Sequence, residues 1–125
     1  MRAFHGIAAV LLVAASLGAR VPRMHNHLLR ATPGIDSTIT QAPTEIVLWF
    51  AERPDVGLSS IRVRSAQDTT RAVLTGTVVS GTEPNSVKAA LTGSLTAGSY
   101  IVSYRTAGDD GHVVRGSYRF TLRLP

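Results

Sequence analysis

The chain has no cysteine. That excludes disulfides, a lipid-anchored cysteine and thiolate metal sites, so a fold exported to an oxidising compartment must be held by its core alone. Aromatic residues are sparse, at 6%. No apolar run is long enough to span a bilayer, which takes roughly 20 residues. The longest is the 13-residue stretch from Ile7 to Ala19, and no stable membrane insertion is expected of the rest. A helical period is also missing after Ala19. The net charge is +5, but Arg2, Arg20 and Arg23 account for three of these charges. From His25 onward there are 10 Lys and Arg against 8 Asp and Glu, a balance of +2. Arg62, Arg64, Arg105, Arg115, Arg119 and Arg123 are dispersed along the sequence and several alternate with apolar residues, as on the wet face of strands. A nucleic-acid surface needs clustering and usually exposed aromatics, so no nucleic-acid partner is expected.

The first residues read as an export signal. Met1-Arg2 supplies a weakly positive start, and Ile7–Ala19 has the length and character of a signal-peptide apolar region. Ser16 and Gly18 are small residues at the right spacing for cleavage before Ala19. Cleavage after Ala19 is the alternative, with Leu17 then too large, and a cut just before His25 matches poorly. The expected organisation is a signal and short pre-domain segment over residues 1–24, cleaved between 18 and 24, and one domain over 25–125.

That domain reads as short strands. In Glu45-Ile46-Val47-Leu48-Trp49-Phe50, Ile46, Leu48 and Phe50 share one face. Ile61 and Val63 point inward from Ser60–Arg64. Tyr100, Val102 and Tyr104 share a face, as do Tyr118, Phe120 and Leu122, with Arg119, Thr121 and Arg123 opposite. Weaker strands are expected at Val73–Val79, Val87–Leu91 and Leu28–Ala31. Turn signals recur at Pro33-Gly34, Gly81–Asn85, Ala97-Gly98 and Asp110-Gly111. About seven short strands in about a hundred residues predict an all-β, immunoglobulin-like Greek-key sandwich or barrel. Leu95-Thr96-Ala97-Gly98-Ser99-Tyr100 has the form of a tyrosine corner, in which the hydroxyl bonds back to the upstream backbone. Tyr100 is therefore read as structural, and Trp49 as a packing residue.

Two histidine clusters stand apart from this scaffold, His25-Asn26-His27 after the signal and Asp110-Gly111-His112 between the last two strands. Imidazole, carboxylate and a freshly exposed α-amine form a donor set suited to Cu(II). Asp110 and His112 point to one side if the segment is extended. If it turns at Gly111, both can still face one ion.

These residues, taken in order, resemble the CopC copper-resistance proteins. The resemblance rests on His25-x-His27-Leu28 with Thr32-Pro33-Gly34, on Leu48-Trp49-Phe50-Ala51-Glu52-Arg53-Pro54, on Leu95–Tyr100 with Tyr104-Arg105, and on Asp110-Gly111-His112 through Phe120. It covers His25 to about Leu124. It implies a periplasmic, non-catalytic copper-binding domain with an immunoglobulin-like barrel. The implied Cu(II) ligands are His25 through α-amine and imidazole, Asp110, His112 and, less firmly, Glu52, which reads equally as a surface carboxylate paired with an arginine. The implied role is buffering, resistance or delivery, with copper handed to a separate inner-membrane transporter or another periplasmic protein. An ordinary imidazole is neutral only above about pH 6.5, so affinity should fall in acid.

The sequence departs from the family in two places. Arg20–Met24 intervenes before His25, so the amine is lost as a ligand if that extension remains. Thioethers favour Cu(I), yet the methionines are Met1 and Met24, so no separate Cu(I) site is expected. Alternative readings are local Cu(II) capture by a free His25-Asn26-His27 terminus, a copper-dependent oxidative enzyme with an amine and imidazole centre, and an exported structural sandwich with incidental histidines.

Overall fold

The structure, a computed structural model, describes residues 26–125. The export-signal reading and His25 lie outside the described residues. Nine strands follow in order: β1 (Leu28–Thr32), β2 (Ser37–Ile39), β3 (Glu45–Phe50), β4 (Ser60–Ser65), β5 (Ala72–Thr75), β6 (Val79–Ser80), β7 (Ser86–Thr92), β8 (Gly98–Ala107) and β9 (Val113–Leu122). The helical content of the described residues is one 3-10 turn, Val56–Leu58. The architecture is the expected all-β sandwich. One sheet runs β1-β3-β7 with β6 also on β7; the other runs β5-β4-β8-β9-β2. β5 pairs with β7 as well as β4, which joins the two sheets along one edge.

The two strands beyond the expected seven are β2 and β6, with three and two residues. Such short strands show no alternation. The run expected as one strand over Val73–Val79 is divided: β5 pairs through Leu74 and Thr75 with β7, and β6 pairs with β7 further along. Gly76 lies at the break, where its amide donates to the Ala90 carbonyl.

The core is built from the faces that alternation predicts. Ile46, Leu48 and Phe50 of β3, Ile61 and Val63 of β4, Val102 of β8 and Phe120 and Leu122 of β9 are buried. Each such side chain contributes roughly 1.5–3 kcal/mol by leaving water, and with no disulfide this burial carries the fold. Tyr100 stacks on Phe120 at 5.4 Å between ring centroids, and its hydroxyl donates to the Thr96 carbonyl at 2.6 Å. This is the bond of a tyrosine corner, and it fixes the entry into β8.

β8 and β9, ten residues each, form a long hairpin closed by the turn of residues 108–112. Gly116 of β9 lies opposite Tyr104 of β8, and a Cβ at this position would collide with the Tyr104 hydroxyl. The glycine thus gives the tyrosine ring its place against Phe50, edge-on at 5.6 Å. Phe50 closes β3, so the end of β3 and the tip of the hairpin come to the same end of the sandwich.

Candidate metal centre

Three chain segments meet at this end. Asn26 precedes β1, Glu52 follows β3, and residues 108–112 connect β8 to β9. Asn26 is buried, at 4% exposure. Its carboxamide pairs with the Glu52 main chain: Oδ1 accepts from the Glu52 amide at 2.8 Å and Nδ2 donates to the Glu52 carbonyl at 3.2 Å. The next rung is a backbone bond, Ala51 amide to His27 carbonyl, 2.9 Å. A side-chain amide here takes the place of a peptide unit and lengthens the β1–β3 ladder by one step.

The connection turns at once after β8. The Gly111 amide donates to the Gly108 carbonyl at 3.0 Å, and Gly111 has φ +75°, a conformation open to glycine. Inside the turn the Asp110 carboxylate folds back on His112. One oxygen accepts the His112 amide at 3.0 Å and the other meets Nδ1 of its imidazole at 2.8 Å. A carboxylate on one ring nitrogen fixes the orientation of an imidazole. It also directs Nε2 away from the turn, and the His112 side chain is 63% exposed.

Gly108 is the floor beneath the Glu52 and Asp110 carboxylates. A Cβ there would lie 3.0 Å from Glu52 Oε2, 3.7 Å from Asp110 Oδ1 and 3.7 Å from the Asn26 Cβ. Glu52 therefore leans over Gly108 toward Asp110, and no ion pair joins it to Arg53 among the described residues. The surroundings are braced from the other side. The Asp55 amide donates to the Ala107 carbonyl at 2.8 Å, and the Ser59 hydroxyl lies 2.9 Å from that of Thr106.

The structure thus sets Glu52 near Asp110, and Asp110 on His112. Among the described residues no group of three such side chains is close enough to enclose an ion. His25, the remaining expected ligand, is bonded directly to Asn26 but lies outside those residues. His27 has an exposed side chain. Trp49 is elsewhere, on the outer face of β3, under the Arg30 guanidinium at 4.0 Å; Arg30 also pairs with Glu83 at 3.1 Å. Sequence reading missed Asn26. Its one signal is a small amide flanked by two histidines, and nothing in that pattern tells a buried clamp from a solvated spacer.

The fold and the site define a small immunoglobulin-like sandwich with a carboxylate–imidazole cluster at one end. The profile of the CopC domain matches residues 28–123, and the chain belongs to the CopC family. It is 26% identical over 99 residues to protein YobA of Escherichia coli K12, covering 79% of each chain. The structure of PcoC, a methionine-rich copper resistance protein from Escherichia coli, superposes with TM-score 0.72 at 29% identity, over 80% of this chain and all of PcoC. CopC from Methylosinus trichosporium OB3b superposes with TM-score 0.71 at 27% identity, over 80% of this chain and 95% of that one.

Proposed function

We propose that this chain is an exported, periplasmic Cu(II)-binding protein that buffers or delivers copper without catalysing a reaction on it. Residues 1–24 would be the signal and a short segment, and residues 25–125 the copper-binding domain. The observation that carries the reading is the approach of the Glu52 and Asp110 carboxylates over Gly108, with His112 held on Asp110 through Nδ1, beside the clamped Asn26. Nitrogen and oxygen donors of this kind suit Cu(II). His112 offers Nε2, Asp110 orients it and adds carboxylate oxygens, Glu52 supplies further negative charge, and His25 would complete the set. Membership of the CopC family and the likeness to a copper resistance protein support copper as the cargo. PcoC is methionine-rich, whereas no methionine follows Met24 here, which favours Cu(II) over a thioether-bound Cu(I). The Asn26 clamp works against local capture by residues 25–27, because it ties the middle residue to β3.

The test is intact-mass analysis of the exported protein to fix its first residue, followed by Cu(II) titration and electron paramagnetic resonance of that material. One equivalent of Cu(II) should bind with a tetragonal, nitrogen-coupled signal. His112→Ala should weaken binding by about 100-fold or more, at or beyond the range seen for losing an outer-shell partner. Equal affinity of the two proteins would remove the reading. Copper exchange with a separate membrane transporter, or its absence, then separates delivery from buffering.

A further inference from the structure

The arginines are thinly spread in sequence, and the sheet register gathers them. β4, β8 and β9 turn Ile61, Val63, Tyr100, Val102, Tyr118 and Phe120 into the core, so the residues between them face outward. The ladders align three cross-strand rows on that face: Ser60–Arg105–Arg115, Arg62–Ser103–Ser117 and Arg64–Ile101–Arg119. All five arginines are exposed. Same-face rows are about 7 Å apart and neighbouring strands about 4.8 Å, so five guanidinium stems rise from a patch of roughly 10 by 14 Å. Arg123, also exposed, continues it at the end of β9.

Nothing in these three strands offsets the charge, for β4, β8 and β9 contain no Asp or Glu. The ion pairs of the described residues are Arg30–Glu83, Lys88–Glu45 and His112–Asp110, none of them on this face. Two carboxylates stand at the rim. Asp36 donates its backbone amide to the Arg119 carbonyl, and Asp55 donates its own to Ala107. Glu52, Asp109 and Asp110 lie at the hairpin end, Glu45 and Glu83 on the opposite sheet side, and Asp68 in the β4–β5 connection. A modest net charge thus conceals a strongly cationic face. Arg105 and Arg115 are direct cross-strand partners, an arrangement of like charges that destabilises a sheet by itself and that an anionic layer would relieve.

The face has no Trp, Tyr or Phe, and Ile101 at its centre is half-buried. A specific protein partner usually needs an apolar or aromatic centre of contact, which is missing here. A flat array of guanidinium forks with serine hydroxyls between them suits phosphate oxygens instead. We propose that this face docks on the phosphate headgroups of an anionic lipid bilayer, adsorbing by charge without insertion. The Arg105–Arg115 row lies close to the turn that holds Asp110 and His112, so docking sets the candidate metal centre beside the membrane surface.

The test is co-sedimentation of the copper-free exported protein with vesicles, which makes its outcome independent of the copper reading. Binding is expected to vesicles of about one-third phosphatidylglycerol in phosphatidylcholine, and not to phosphatidylcholine alone. It should be strong at about 0.05 M salt and lost at about 1 M, where the screening length falls to about 3 Å. Each arginine near an anionic surface is worth about fivefold in partition, so Arg62→Ser with Arg119→Ser should reduce binding about 25-fold. Arg53→Ser with Arg71→Ser removes the same charge off the face and should reduce it less than about fivefold. All four positions are exposed, so the melting temperatures should stay close to the parent's. Failure to bind the anionic vesicles at low salt overturns the proposal, as do equal losses from the two double variants. Retention on polyglutamate with vesicles unbound overturns it in favour of an acidic protein partner.

Discussion

Tyr100 and Tyr118 are buried to the same degree, at 5% and 6% exposure, and sit in one core cluster. Their hydroxyls differ. That of Tyr100 donates to the Thr96 carbonyl, whereas that of Tyr118 has no hydrogen-bond partner among the described residues. A satisfied buried hydroxyl contributes about 1 kcal/mol, and an unsatisfied one costs about 1–3 kcal/mol. Removing the oxygen should therefore act in opposite directions. Tyr100→Phe should lower stability in urea unfolding by about 1 kcal/mol, and Tyr118→Phe should raise it by a similar amount. Destabilisation by both would mean that Tyr118 has an acceptor after all. The role of Tyr100 is legible in the sequence, because Leu95, Gly98 and Tyr100 form a corner pattern. Tyr118 reads as any other inward residue of β9, since a missing acceptor is a property of three-dimensional surroundings. The metal-binding candidates divide in the same way. Asp110 and His112 are two apart and readable as a pair, but their direct bond depends on the turn made at Gly111. Whether Glu52 faces an arginine or the site depended on the course of the chain after β3.

At the scale of elements, alternation made every strand of six residues or more legible, together with the buried face of β3, β4, β8 and β9; β7 was expected without a face. It failed for β2 and β6, whose pairing is set by neighbours rather than by their own two or three residues. It also failed to show that arginines on three separate strands would share rows, because register is a long-range property. The start of β1 depends on such a long-range contact. Asn26 holds the Glu52 main chain across 26 positions of sequence, and Asn26→Ala removes both bonds together. The Glu52 side is exposed and can rehydrate, so the loss of global stability should be near the lower end, about 1 kcal/mol. The local effect should be larger: the Glu52 amide should exchange with solvent at the rate of an open loop, while the Val47 and Leu48 amides stay protected. Unchanged protection at Glu52 would show that the ladder does not need the clamp. If His25 is a ligand, the same variant should weaken Cu(II) binding by more than the stability change implies, because the residue bonded to Asn26 loses its anchor.

For the molecule as a whole, a fold without disulfides depends on keeping its interior uncharged, and the tyrosines are where alkali threatens this. Burial pushes the Tyr118 hydroxyl well above the ordinary phenol range and that of Tyr104 in the same direction. An unfolded tyrosine releases its proton near pH 10. Above that pH the unfolded chain binds fewer protons than the folded one, so stability falls as pH rises. Below about pH 10 both states hold the proton and the contribution is constant. Few other groups confuse the measurement: Lys88 is the single lysine, and arginines stay charged throughout. The slope from Tyr118 should approach about 1.4 kcal/mol per pH unit above pH 10, with Tyr104 adding less because it is more exposed. For a domain of this size that is a fall in melting temperature of about 6–11 °C per unit. Melting curves between pH 8 and pH 11 should be flat at first and then fall, and Tyr118→Phe should remove most of the fall. A melting temperature unchanged to pH 11, or an equal fall in Tyr118→Phe, would place the alkaline weakness elsewhere in the fold.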